Sequence, residues 1–137
     1  MKKIVIPAII AMVAVFATGM LFGYLFDFLI PSLKAQYENS TIFRSWSDPL
    51  MMIYFIYPLL ISLALAWIWD KVKSILQGNY MRRVLNFTGM FFLVSVIPGM
   101  IMSLSSFKIS VVMVITWTIS SYFQVLVATL IFGKMNK

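Results

Sequence analysis

The chain contains no cysteine and no histidine. That excludes disulfides, thiol–disulfide chemistry, Cys- or His-based metal sites and ordinary His-ligated haem. It also excludes serine or cysteine nucleophiles that a histidine would activate. No catalytic, metal-ligating or cofactor-binding residue is singled out from the sequence. Acids are scarce as well: Asp27, Glu38, Asp48 and Asp70 are all there are. General acid–base work needs two groups converging on one substrate. In the four-span reading below, the acids are split between two membrane sides, and only Asp27, Glu38 and Asp48 share one. The expectation is a protein that is not an enzyme.

What the chain has in excess is apolar sequence. Hydrophobic residues make up 62% of the 137, and the mean hydropathy is +0.97. Such a chain is too apolar for a soluble domain and long enough for only one bundle. Four apolar runs stand out, near 4–30, 49–70, 84–105 and 109–133, and each reaches the roughly 20 residues that a helix needs to cross about 30 Å of hydrocarbon. An outer loop, 31–48, and a cytoplasmic loop, 71–83, separate them. The reading is an all-α membrane protein, a single domain over 1–137, built as an antiparallel up-down-up-down bundle of four transmembrane helices.

A net charge of +7 in a soluble protein would suggest nucleic acid. Its placement points elsewhere. Lys2, Lys3, Lys71, Lys73, Arg82, Arg83, Lys134 and Lys137 fall on one side of the four-span layout, and Lys34, Arg44 and Lys108 on the other. Eight cations against three in short loops predicts a plasma-membrane protein with both termini cytoplasmic, and no nucleic-acid partner. The four cations of the 71–83 loop would also draw anionic headgroups.

The third and fourth runs form a hairpin whose link centres on Ser105-Ser106-Phe107-Lys108. Small and polar residues recur along each arm at helical spacing. Ser95, Gly99 and Ser103 mark the first arm; Thr116, Ser120 and Gln124 mark the second. In lipid, helices associate by close backbone approach and interhelical hydrogen bonds, so these stripes predict a packed seam. Ser95 would lie at the depth of Thr118, and Gly89 at that of Gln124. Pro98 predicts a kink. A second reading has the kink and the hydroxyls lining a polar cavity, which buried backbone at membrane depth permits.

The first run begins Met1-Lys2-Lys3 and is read as a retained span. A signal peptide cut near Ala17 is the alternative, weakened by the apolar sequence that continues past that point. Gly19 and Gly23 form a G-x-x-x-G pair suited to helix packing. Asp27 is the one acid that could lie within a span, a functional candidate by default. Its depth places it near the outer interface, either paired with Lys34 or Arg44 or simply solvated. Asn39-Ser40-Thr41 matches a glycosylation sequon. Asp48-Pro49 reads as N-cap and first helical residue of the second run. That run carries Pro58, another candidate kink, and ends in Trp67 and Trp69, read as an interfacial aromatic belt. Asp70, beside Lys71 and Lys73, reads as an exposed ion pair.

At Ile42-Phe43-Arg44-Ser45-Trp46-Ser47-Asp48-Pro49, at Ile97-Pro98-Gly99-Met100, and at Ser106-Phe107 with Trp117-Thr118, the chain resembles the uncharacterised small four-span integral membrane proteins of prokaryotes. The resemblance implies a layout and brings no activity. Small multidrug transporters are similar in size and span count only, since they carry a membrane-embedded Glu in the first span and Asp27 lies at a different depth. Two function classes follow. The first is a non-enzymatic bundle that binds membrane lipids, a second copy or another membrane protein. The second is a small oligomeric transporter or channel.

Overall fold

A computed structural model describes residues 2–137, which are predominantly helical and contain no strand. Helix α1 covers Lys2–Leu29 and is followed by a short α2, Pro31–Tyr37. The second long helix begins as a 3-10 helix, Pro49–Ile56, and continues as α3, Tyr57–Val72. The third consists of α4, Tyr80–Phe91, a π-helical turn, Phe92–Val96, and α5, Ile97–Ser106. Helix α6, Val111–Met135, is the fourth. Among the described residues there are four helical stretches long and apolar enough to cross a membrane. The fold is an all-α bundle consistent with an integral, multi-pass membrane protein.

Local chemistry sets where these helices start. Asp48 accepts from the Leu50 N–H at 2.9 Å, with Pro49 as the first helical residue. Asn79 accepts from the Arg82 N–H at 2.9 Å, and Ser110 from the Met113 N–H at 3.1 Å. Each long helix after the first thus begins on a side-chain cap. The two expected kinks take the form of changes in helix type. Pro58 is the second residue of α3, where the 3-10 segment gives way to α-helix and a missing N–H is tolerated. The Pro98 ring would collide with the carbonyl four residues back. The chain widens ahead of it instead, and the Ile97 N–H bonds the Phe92 carbonyl five residues earlier.

That π-turn shifts the buried face of the helix by one residue. Val84, Phe87 and Thr88 are buried before it. At its end Ser95 is exposed and Val96 buried; beyond it Met100 and Ser103 are half-buried and Gly99 is exposed.

Helix α1 packs against both α3 and α6, and α4 and α5 pack on α6. The core joins Ala8, Ala11 and Val15 to Leu65, Ala66 and Trp69, with Phe87, Val125, Ala128 and Phe132 completing it. Its four alanines let the helix backbones come close. Neighbours are antiparallel: Phe22 stacks on Phe123 with centroids 4.9 Å apart, and Phe92 meets Tyr122 at 5.3 Å. The second pair gives the hairpin the register expected from its short link.

The bundle is open. Its accessible surface is 8986 Å², against about 7,300 Å² for a compact monomer of this mass. Helices α3 and α4 meet at the end carrying Lys73 and Arg83, hereafter the basic end, where Trp69 and Phe87 touch at 5.3 Å. Towards the opposite end, α3 and α5 part.

Candidate functional site

The parting of α3 and α5 leaves a cleft of about 230 Å³ reached by all four long helices. Val15, Ile61, Leu65, Phe91, Val96, Met100 and Val125 make it mostly apolar. Tyr57, Ser95, Ser121 and Gln124 supply its polar groups, with Gly99 between them, and no charged residue lines it.

Gln124 is held in place from two sides. Its Nε2 donates to Ser120 Oγ at 3.1 Å. A Cβ on Gly19 would stand 3.0 Å from the same nitrogen, so the glycine makes room for the amide.

The two polar stripes do not interlock. Thr116 is buried and donates to the Met113 carbonyl at 2.8 Å, outside the cleft. Ser103 donates to the Gly99 carbonyl at 2.9 Å. A Cβ at Gly99 would meet no atom within 4 Å, and neither would one at Gly23. Within the chain, no tight contact is therefore made at Gly99 or Gly23, and only Gly19 of the G-x-x-x-G pair lies against another helix. For Ser95 and Gly99 the reason is the π-turn, whose extra residue rotates them out of the seam and onto the cleft wall. Ser121, not singled out from the sequence, reaches the cleft because it lies one helical step beyond the Thr116-Ser120-Gln124 stripe.

A polar lock closes the basic end. Trp69 is 1% exposed, and its indole N–H donates to the Asn136 carbonyl at 2.8 Å. Trp69 is thus a core residue; of the expected belt, only Trp67 is exposed. The Asn136 side chain accepts from Lys73 and donates to Asp70 at 3.0 Å. Asp70 pairs with Lys73 at 3.1 Å, so it is tied to α3 and to the segment after α6 together. Arg83 lies over the Trp69 ring at 5.6 Å and donates to the Lys73 carbonyl at 2.9 Å. A guanidinium on an indole face is favourable in its own right. Sequence reading missed Asn136, which lies beyond the last apolar run and belongs to no motif.

At the opposite end, Tyr37, Phe43 and Trp117 form an aromatic cluster, and the Trp117 indole N–H donates to the Tyr37 hydroxyl. Burial raises the Tyr37 phenol pKa, and the nearby Asp27 charge raises it further, against the lowering effect of the Trp117 bond. Asp27 is half-buried. Of the two alternatives for Asp27, pairing with Lys34 or Arg44 is not made: Arg44 instead pairs with Asp48 at 2.8 Å, and Asp27 has no ion pair among the described residues. Asp48 is held below the usual carboxylate range, chiefly by the Leu50 N–H and then by Arg44. Among the described residues no three His, Cys, Asp or Glu side chains gather in metal-binding geometry.

No protein-family model, no curated protein and no solved structure matches this chain. The functional reading therefore rests on the cleft and the surface.

Proposed function

We propose that this chain is a non-enzymatic, lipid-interacting membrane bundle of the small four-span prokaryotic kind, and that its cleft takes up an acyl chain. The observation that carries this is the lining: apolar walls from four helices, a few hydroxyls and one amide, and no charge. A volume of about 230 Å³ falls below the roughly 300–1,000 Å³ usual for small-molecule sites. It suits a flexible chain lying sideways from the bilayer better than a solute crossing it. Transport would call for a charged or wet path, and Asp27 is not among the lining residues.

Native mass spectrometry of the protein released from mild detergent tests this. The wild type should retain lipid, and Gly99→Leu with Ser121→Leu should retain one lipid fewer per protein while remaining folded, because a side chain at Gly99 grows into open space. Equal retention by both proteins would refute the cleft as the site. Flux assays in liposomes, from acidic to mildly alkaline pH, should show no conductance in wild type or Asp27→Asn. A pH-dependent flux abolished by Asp27→Asn would establish the transporter class instead.

A further inference from the structure

A second concavity lies on the outside of the bundle at the basic end and shares no lining residue with the cleft. It is a groove of about 570 Å³ between the connection that follows α3 and the outer face of α4. Ile75 and Gln77 stand on one wall; Arg82, Asn86, Gly89 and Leu93 run along the other. The connection folds back over α4 because Gly78 adopts φ of +106°, a conformation that side-chain-bearing residues rarely take. A Cβ there would stand only 2.6 Å from Arg82 Cδ.

The groove has an order along its length. Arg82, at its mouth, is exposed and forms no ion pair among the described residues. The acid at this end, Asp70, is committed to Lys73 and Asn136. Asn86 lies one turn further on, on the same helix face as Arg82. It is exposed, inside a stretch long enough to span a membrane, and its amide has no protein partner among the described residues. A bare amide facing hydrocarbon is costly unless something bonds to it. Beyond it, a Cβ on Gly89 would touch nothing within 4 Å, and Leu93 is 68% exposed, so the trough continues as smooth apolar surface. Arg82 and Leu93 are separated by about 16 Å of helical rise. That is close to one leaflet, half of the roughly 30 Å hydrocarbon thickness.

Cation, then hydrogen-bonding amide, then apolar trough is the sequence of groups that meets a phosphate, a glycerol ester and an acyl chain. We propose that this groove binds one anionic phospholipid from the leaflet at the basic end. Arg82 holds the phosphate, Asn86 bonds the ester region, and the chain lies along Gly89 and Leu93. Eight of the eleven cations gather at this end, which favours an anionic over a zwitterionic headgroup.

The test is competitive lipid retention by the whole protein, using equimolar phosphatidylglycerol and phosphatidylcholine, read by native mass spectrometry. The wild type should prefer phosphatidylglycerol, and Arg82→Gln should lower that preference about fivefold. Gly89→Leu, which blocks the trough without touching a charge, should also lower retention of phosphatidylglycerol. Lys71→Gln removes the same charge from an exposed position outside the groove and should leave the preference unchanged. An equal fall in Arg82→Gln and Lys71→Gln would overturn the proposal in favour of diffuse attraction. So would displacement of the lipid by inorganic phosphate, which would mark a site for free anions, or an unaffected Gly89→Leu. Gly99→Leu with Ser121→Leu, which fills the cleft, should keep the headgroup preference; the failure of either site is thereby distinguishable from the failure of the other.

Discussion

The Trp69 indole N–H donates to the backbone carbonyl of Asn136 at 2.8 Å, joining two residues 67 positions apart. This bond fixes the segment after α6 against α3 at the basic end. Trp69→Phe removes the donor and leaves the carbonyl buried without a partner, a cost of about 1–3 kcal/mol. The unfolding midpoint in detergent should fall accordingly. Trp67→Phe, at an exposed position, should leave it unchanged.

Three glycines should respond differently to added side chains. A Cβ at Gly133 would lie 2.9 Å from Tyr80 Cε2 and 3.2 Å from Val84 Cγ2. Gly133→Ala should therefore displace the Tyr80 ring from its bond to the Leu130 carbonyl and press on Val84, at a cost of about 1–3 kcal/mol. Gly19→Leu should destabilise similarly by displacing the Gln124 amide, whereas Gly99→Ala should be neutral. Thermal unfolding of the three variants side by side decides the order, and a destabilised Gly99→Ala would mean that the cleft is closed in the native protein.

Acid should weaken the start of the second long helix. The carboxyl of Asp48 is held below its ordinary value by the Leu50 N–H and by Arg44. A depressed carboxylate contributes stability that is present above the unfolded value, about 3.9, and is lost as pH falls through the lower folded value. Asp48→Asn should flatten the acid limb of the stability profile and leave the neutral region little altered, since Asn also caps helices. An acid limb identical in wild type and variant would show that Asp48 contributes nothing to it.

Topology is testable because the chain has no cysteine of its own. Ser40 and Lys137 are both exposed, so single cysteines there report the two ends of the bundle. The positive-inside pattern predicts that Lys137→Cys is labelled from the cytoplasmic side and Ser40→Cys from the outside. Labelling of both positions from both sides would indicate dual insertion. Asn136 does not serve for this purpose, being 5% exposed and bonded to Trp69, Lys73 and Asp70.

Much of the architecture was legible from residue chemistry alone. Asp48-Pro49 announced a helix start, and the short link between the last two runs implied antiparallel neighbours in the register that Phe92 and Tyr122 display. Other features left no trace in the spacing. A π-turn adds one residue to a helix without changing its apolar character, so the stripe through Ser95 and Gly99 pointed at α6 on paper and at the cleft in the fold. Trp69 was ambiguous for a different reason. Interfacial belts and cores use the same aromatic residues, and only the partner of the indole N–H tells them apart. Gln124 was singled out from its spacing, but its fit against Gly19 depends on which faces of α1 and α6 meet.

The 3-10 segment from Pro49 to Ile56 has a consequence for reach. A 3-10 helix rises about 2.0 Å per residue against 1.5 Å in an α-helix. The 24 residues of Pro49–Val72 therefore extend about 40 Å, where a continuous α-helix would extend about 36 Å. Helix α1, with 28 residues, extends about 42 Å, and α6, with 25, about 38 Å. The stretched half thus brings the shortest of the four to the length of its neighbours. The third stretch, Tyr80–Ser106, has 27 residues and extends about 40 Å, so the four are close to one length. Relaxed to α-helix, the second would be shorter by about 4 Å, at a mismatch cost of fractions of a kcal/mol for each ångström. The Arg44–Asp48 ion pair at its outer end would then be drawn towards the acyl chains.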